Sequence, residues 1–149
     1  GHTLKIDIPE ATILIDADFT RLAQVCANLL NNAIRYTPPG GRIALNVVID
    51  GGDMVLRVSD NGVGVEPELL SRMFDPFVQG KFASNWQSGG LGVGLTLVRR
   101  IVELHEGKIR VSSAGRDRGC QFDVRLPRRR AFPPLEQRKA YQPAHSSVR

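Results

Sequence analysis

A chain of 149 residues is long enough for one domain with a buried core, and 42% apolar against 23% charged residues is ordinary for a soluble globular protein. No run of 18 apolar residues exists, which excludes a membrane-spanning helix of the usual kind, and no secretory signal is present; Gly1-His2 reads as the remnant of a cleaved expression tag. The net charge of +5 does not mark a nucleic-acid groove, because residues 128–149 hold six Lys and Arg against Glu136 and carry all of it.

Along the chain, residues 5–8 and 12–15 read as two short strands folded into a hairpin around Pro9-Glu10. Asp16 or Asp18 can cap the next segment, where Leu22, Val25, Cys26, Leu29 and Ala33 recur at helical spacing over residues 19–37. Pro38-Pro39-Gly40-Gly41 stops that helix. Residues 42–49 and 54–59 form an antiparallel hairpin across Asp50-Gly51-Gly52-Asp53. A short helix over 66–73 follows. Residues 75–91 lack any period and read as a long functional loop. Helical period returns over 95–106 with Gly107 as the residue that ends it, and 108–112 and 121–126 make a last strand pair across the 114–119 turn. Residues 128–149 form a basic, proline-containing tail or linker with too few apolar residues to pack, which places the domain at 1–127. Cys26 and Cys120 stand far apart with no metal-ligand spacing and are expected as small buried side chains. Hairpins dominate and no parallel βαβ unit is read, so the expected class is α+β: a two-layer α/β sandwich, its mixed but mostly antiparallel sheet covered on one face by about three helices.

Three segments carry chemistry. On the first long helix Gln24, Asn28, Asn32 and Arg35 line one face, opposite the apolar stripe. A solvated polar face is the plain alternative for this helix read alone; read chemically, an asparagine amide oxygen suits Mg²⁺ and Arg35 suits phosphate. Asp60-Asn61-Gly62-Val63-Gly64 follows an apolar strand. Read alone it is a turn; its carboxylate could also accept from the exocyclic amine of adenine, with glycines admitting the ring. Gly89-Gly90-Leu91-Gly92-Val93-Gly94-Leu95 opens a helix, where backbone N–H groups can meet phosphate. It fits neither GxxxxGK[ST] nor a complete GxGxxG. A fourth segment, Met73-Phe74-Asp75-Pro76-Phe77, would anchor the start of the long loop to the core through its aromatic rings.

In this order QVCANLLNNAIRYT (24–37), VSDNGVG (58–64), MFDPFVQG (73–80) and GGLGVGLTLVRRIVELHEG (89–107) resemble the four nucleotide-binding boxes of sensor histidine kinases, and the resemblance spans residues 3–127. It implies the ATP-binding sandwich shared with gyrase and mismatch-repair ATPases (the Bergerat fold), with ATP and Mg²⁺ as cofactors. It further implies that Asn28 holds Mg²⁺ with Asn32 beside the phosphates, and that Arg35 and Tyr36 contact the nucleotide, Asn28 and Arg35 serving phosphoryl transfer. Asp60 would hold the adenine amine in a pocket shaped by Gly62 and Gly64. Residues 78–94 would form a lid seated by Phe74 and Phe77, and Gly90, Leu91, Gly92, Val93, Gly94 and Leu95 would meet the phosphates. Two positions depart from the pattern: Leu91 stands where many relatives have threonine, and Cys120-Gln121 where Ser or Thr is frequent. His105 reads as structural, and no phosphoacceptor-histidine segment occurs.

The implied activity is therefore transfer of the ATP γ-phosphoryl group to a histidine on a separate helical dimerisation domain of the same kinase, which in turn serves a response regulator. The fragment is expected to be a cytoplasmic monomer that touches neither nucleic acid nor membrane. Competing readings are an ATPase of the gyrase type, a serine kinase of the anti-sigma type and a degenerate nucleotide-binding module. Gyrase-type relatives place a glutamate one turn before the metal asparagine; here that residue is Gln24, a poor base.

Overall fold

The computed structural model describes residues 1–78 and 92–129. The elements are β1 (Thr3–Asp7), α1 (Phe19–Tyr36), β2 (Arg42–Asp50), β3 (Asp53–Asp60), α2 (Pro67–Leu70), α3 (Gly94–Leu104), β4 (Lys108–Ser112) and β5 (Cys120–Pro127). They build one five-stranded sheet of order β1-β2-β3-β5-β4, in which every neighbouring pair is antiparallel except β1 and β2. The α+β two-layer class is as expected.

The local signals act as read where they are strong. The Asp18 side chain accepts from the Arg21 N–H at 3.0 Å and caps α1, while Asp16 pairs instead with Arg129 at 2.7 Å. Gly51 and Gly52 both take positive φ, 58° and 89°, between the paired Asp50 and Asp53, the backbone a two-residue hairpin turn requires. Val25, Leu29 and Ala33 of α1 and Val98, Ile101 and Val102 of α3 pack on Ile43, Leu56, Val58, Phe122, Val124 and Leu126 of the sheet. Fully burying such a side chain is worth about 1.5–3 kcal/mol. The open face of the sheet carries ion pairs, among them Arg57 with both carboxylate oxygens of Asp123 at 2.8 and 3.2 Å.

Four expectations are corrected. Residues 12–15 do not form a hairpin with β1. β1 instead runs parallel to β2, with α1 as the crossover, and Ile15 bridges Arg128 in antiparallel sense. A parallel βαβ unit is thus present, at a place without a glycine-rich loop. Choice of strand partner is non-local, and an edge strand of five residues carries no pattern that reveals it. The body also continues past residue 127, because the Arg129 N–H donates to the Leu14 carbonyl at 2.8 Å; residues 130–149 lie outside the described part. The helix expected over residues 66–73 contracts to α2 and a turn. Lastly, Gly107 does not provide the left-handed residue after α3. Glu106 does, at φ 57°, while a β-carbon on Gly107 would collide with the Arg125 carbonyl oxygen of β5. That glycine serves close approach to the sheet.

His105 ties the far ends of both long helices together. Its Nδ1–H donates to the Ile101 carbonyl at 2.7 Å, and Nε2 accepts from the Asp18 N–H at 3.0 Å. One neutral tautomer satisfies both bonds, so the ring is structural. Cys26 and Cys120 are half-buried free thiols.

Candidate functional site

β3 delivers Asp60 to the end of the sheet beside the start of β5. The Gly62 N–H and the Cys120 N–H both donate to Asp60 Oδ1, at 2.8 and 3.3 Å. Oδ2 is thereby the oxygen that can turn to a ligand. Burial raises the Asp60 pKa above the ordinary carboxylate value, and the two backbone donors oppose that shift without cancelling it. The neighbouring Cys120 thiol is pushed up to about 12, first by burial and then by the Asp60 charge. It is therefore a protonated, unreactive group at neutral pH.

The glycines after Asp60 are dictated by close packing. A β-carbon on Gly62 would collide with the Tyr36 carbonyl oxygen, and one on Gly64, whose φ is +68°, with the carbonyl oxygen of Gly115. Gly64 thus faces the turn between β4 and β5. That turn is stitched to the loop by Asp117 N–H to the Val63 carbonyl (2.8 Å), Gly119 N–H to the Gly62 carbonyl (3.0 Å) and Val65 N–H to the Ser113 hydroxyl (3.0 Å). Ser113, Gly115 and Gly119 were not legible as site-forming residues. They sit in an ordinary-looking polar turn whose partner lies some 50 residues earlier. Asn61, whose Oδ1 accepts from the Arg42 N–H at 2.6 Å, was visible only as part of the Asp-Asn-Gly turn.

α1 runs from the Asp60–Gly64 loop to the start of α3. Its last turn presents Tyr36, whose carbonyl accepts from the Val63 N–H at 3.0 Å. Arg35 stacks over the Tyr36 ring at 5.9 Å. Two turns earlier, Asn28 Oδ1 lies 3.6 Å from where a β-carbon on Gly94 would stand, at the first residue of α3. Asn32 is half-buried between these points along the helix. Val93 is the N-cap residue of α3 with no side-chain cap, so the first N–H groups of that helix have no side-chain partner in the cap position. Leu95 directs its side chain into the core, which leaves only its backbone to meet a ligand. Gly90 and Leu91 lie outside the described residues.

The two rims of the long loop meet. The Phe77 N–H donates to the Gly92 carbonyl at 3.1 Å, and Gly92 takes φ +69° against the Phe77 backbone. Phe74 is anchored as expected, edge-on to Phe122 with ring centroids 6.5 Å apart and its carbonyl accepting from the Thr96 hydroxyl. Phe77 is not: the residue is 75% exposed with φ +64°, and among the described residues it joins the rim through its backbone. Sequence reasoning treated the two aromatics alike because both flank Pro76.

The profile of the histidine kinase-, DNA gyrase B- and HSP90-like ATPases matches residues 17–130. The chain belongs to this family. It is 35% identical over 144 residues to the autoinducer 2 sensor kinase/phosphatase LuxQ of Vibrio parahaemolyticus, covering 91% of this chain and 17% of that protein. It is 37% identical over 126 residues to the probable sensor histidine kinase TcrY of Mycobacterium tuberculosis, covering 85% of this chain and 26% of that one. Among solved structures, the mycobacterial sensor histidine kinase MprB superposes with a TM-score of 0.74 at 27% identity, covering 87% and 84% of the two chains. Full-length ShkA in complex with AMPPNP gives 0.74 at 31% identity, covering 91% of this chain and 27% of that one. The chain therefore corresponds to the ATPase domain of sensor histidine kinases and spans about a quarter or less of the length of these curated relatives. No described helix is long and apolar enough to cross a membrane.

One buried group in this region is unsatisfied. Thr37, which ends α1, is wholly buried and its hydroxyl has no partner among the described residues. An unpaired buried hydroxyl costs about 1–3 kcal/mol. Thr37→Val, which keeps the shape, is expected to raise the urea midpoint by the equivalent of about 1 kcal/mol; a lowered midpoint would show that the hydroxyl is paired in solution.

Proposed function

We propose that this chain binds Mg-ATP along α1 and supplies the γ-phosphoryl group to a histidine on a separate helical dimerisation domain of the same kinase, upstream of a response regulator. The observation that carries the reading is the placement of α1. One end of the site is the Tyr36–Gly62 contact beside Asp60, the other the approach of Asn28 to the first residue of α3. Asn28 and Tyr36 stand eight positions apart on α1, about 12 Å along the axis. That matches an extended nucleotide whose base lies at Asp60 and whose terminal phosphates lie at α3.

The residues fit the group. Asp60 Oδ2 would accept from the exocyclic amine of adenine and select it over guanine, which offers a carbonyl there. Gly62 would let the backbone lie against the ring. The N-terminal N–H groups of α3, at Gly94 and Leu95, would donate to phosphate with the help of the helix dipole. Arg35 would add positive charge, with Asn32 beside the phosphates and Tyr36 near the nucleotide. Gly92 and Val93 would complete the phosphate end, together with Gly90 and Leu91. No three His, Cys, Asp or Glu side chains converge among the described residues. Mg²⁺ would accordingly take the Asn28 amide oxygen together with phosphate and water ligands, and would neutralise charge on the transferring group. The nucleophile, a histidine ring nitrogen, would come from the partner domain.

Titration with a non-hydrolysable ATP analogue tests the binding half. Saturable, Mg²⁺-dependent binding is expected, and its absence would end the proposal. Mixing with a histidine-bearing helical domain should then yield acid-labile phosphate on that domain. Gln24 bears on the competing ATPase reading. It lies one turn before Asn28 and its Oε1 accepts from Arg21 Nη1 at 3.2 Å. A neutral amide cannot take a proton from water as a carboxylate can. The parent chain alone should release phosphate very slowly, with Gln24→Glu faster. Brisk turnover by the parent would overturn this assignment of Gln24.

A further inference from the structure

The residues before β1 are joined to the end of α1. The last carbonyls of a helix have no partners within it and must find them elsewhere. Here the Tyr36 carbonyl is taken by the Val63 N–H at 3.0 Å, from the pocket side. The next carbonyl, of Thr37, lies 2.9 Å from His2 Nε2, a bond in which the ring nitrogen donates. Two backbone bonds flank it: Gly40 N–H to the Gly1 carbonyl at 2.8 Å, and Thr3 N–H to the Gly41 carbonyl at 3.0 Å. Gly1-His2 is knitted to residues 37–41 by these bonds.

That segment has little room to move independently of the pocket. A β-carbon on Gly41 would collide with Thr37 Cγ2 and stand 3.0 Å from Asn61 Oδ1. The same Asn61 oxygen accepts from the Arg42 N–H, and the Asn61 N–H donates to the Arg42 carbonyl at 3.2 Å. The Tyr36 carbonyl lies directly against the Gly62 Cα. Among the described residues the Thr37 hydroxyl has no partner, so the polar contact of Thr37 toward His2 is made by its carbonyl.

We infer that His2 is a positioning residue for the adenine pocket: its ring holds the Thr37 carbonyl, and through Tyr36 it fixes Gly62 and Val63 beneath the base. The inference rests on the reading of Asp60 to Gly64 as the adenine site. It assigns to the strand entering β1 a direct influence on nucleotide binding, at a position that touches no ligand.

The test uses the full chain with His2→Ala and His2→Gln, whose side-chain amide can still donate to the same carbonyl. In the nucleotide-free chain, His2→Ala should shift the ¹⁵N–¹H resonances of Gly62 and Val63, and His2→Gln should return them toward the parent positions. Affinity for a non-hydrolysable ATP analogue should fall in His2→Ala by up to roughly 3- to 10-fold, the full energy of one hydrogen bond being the ceiling for a residue that touches no ligand, and recover in His2→Gln. Discrimination against the guanine analogue should fall with it, which a general loss of stability would not produce while both variants remain folded. Unmoved Gly62 and Val63 resonances in His2→Ala, or equal loss of affinity in both variants, would overturn the inference. If the parent chain bound no analogue, the adenine reading would fail, and the ligand-free spectra would still decide whether His2 controls Gly62 and Val63.

Discussion

Asp60→Ala is expected to weaken binding of the ATP analogue by about 5- to 150-fold, the loss of one hydrogen bond to a charged group of about 1–3 kcal/mol. Asp60→Asn separates the two tasks of this residue. Its amide oxygen can keep both bonds that Oδ1 accepts from Gly62 and Cys120, while its NH₂ replaces Oδ2 and points a donor at the donor on adenine. Affinity should therefore fall as far as in Asp60→Ala, but stability should move the other way. The folded-state pKa of Asp60 is raised by burial, so the folded chain binds its proton more tightly than the unfolded chain does. The contribution to stability is full below the unfolded carboxylate pKa of about 3.9 and is lost as pH rises through the folded value. At neutral pH the ionised group is a net cost, and Asp60→Asn should raise the unfolding midpoint of the nucleotide-free chain. Analogue affinity should in turn begin to fall on acidification at a higher pH than for an ordinary aspartate. Calorimetry and urea unfolding of the two variants check both halves; unchanged affinity in Asp60→Ala would refute the pocket assignment.

Gly64→Ala is expected to destabilise the chain by about 3 kcal/mol or more. Overpacking against a fixed neighbour costs about 1–3 kcal/mol, and a left-handed backbone adds about 1–2 kcal/mol for any residue with a β-carbon. The neighbour here is the Gly115 carbonyl, backbone rather than a movable side chain, with the Arg118 backbone nitrogen 3.2 Å away. It cannot retreat without breaking the bonds from Asp117 to Val63 and from Gly119 to Gly62. Gly40→Ala is the control. Gly40 has φ +81° but open space around it, so only the backbone penalty applies. Urea unfolding should place Gly64→Ala well below Gly40→Ala. Equal midpoints would mean that the 113–119 turn yields freely and does not brace the pocket.

The sequence was most informative where the signal is local. The α1 helix was legible because its apolar period, its aspartate cap and the prolines that stop it all fall between residues 18 and 39. The β2–β3 hairpin was legible because its two-glycine turn admits few alternatives. Phe74 could be picked out as an anchor from its residue type, whereas Asn28 and Asp60 became candidates only when their spacing was joined to the family resemblance. The sequence was silent on what faces each residue from elsewhere in the chain. Phe74 and Phe77 are the same residue type three positions apart, yet it is Phe74 that meets the Phe122 ring. Gly107 looked like a helix stop, and proximity of the β5 backbone makes it a packing glycine instead.

By itself, then, the sequence determined the residue types that can hold a nucleotide and the order in which the chain presents them, since hydrogen-bonding capacity, helical period and glycine turns are properties of short segments. Tertiary structure decided that β1 runs parallel to β2, that Ile15 bridges Arg128, that the 113–119 turn braces Gly64 and that His2 grips the end of α1. Each of these is a contact between segments distant in sequence. Its free energy depends on which surfaces remain free once the core has formed, and no local pattern encodes that choice.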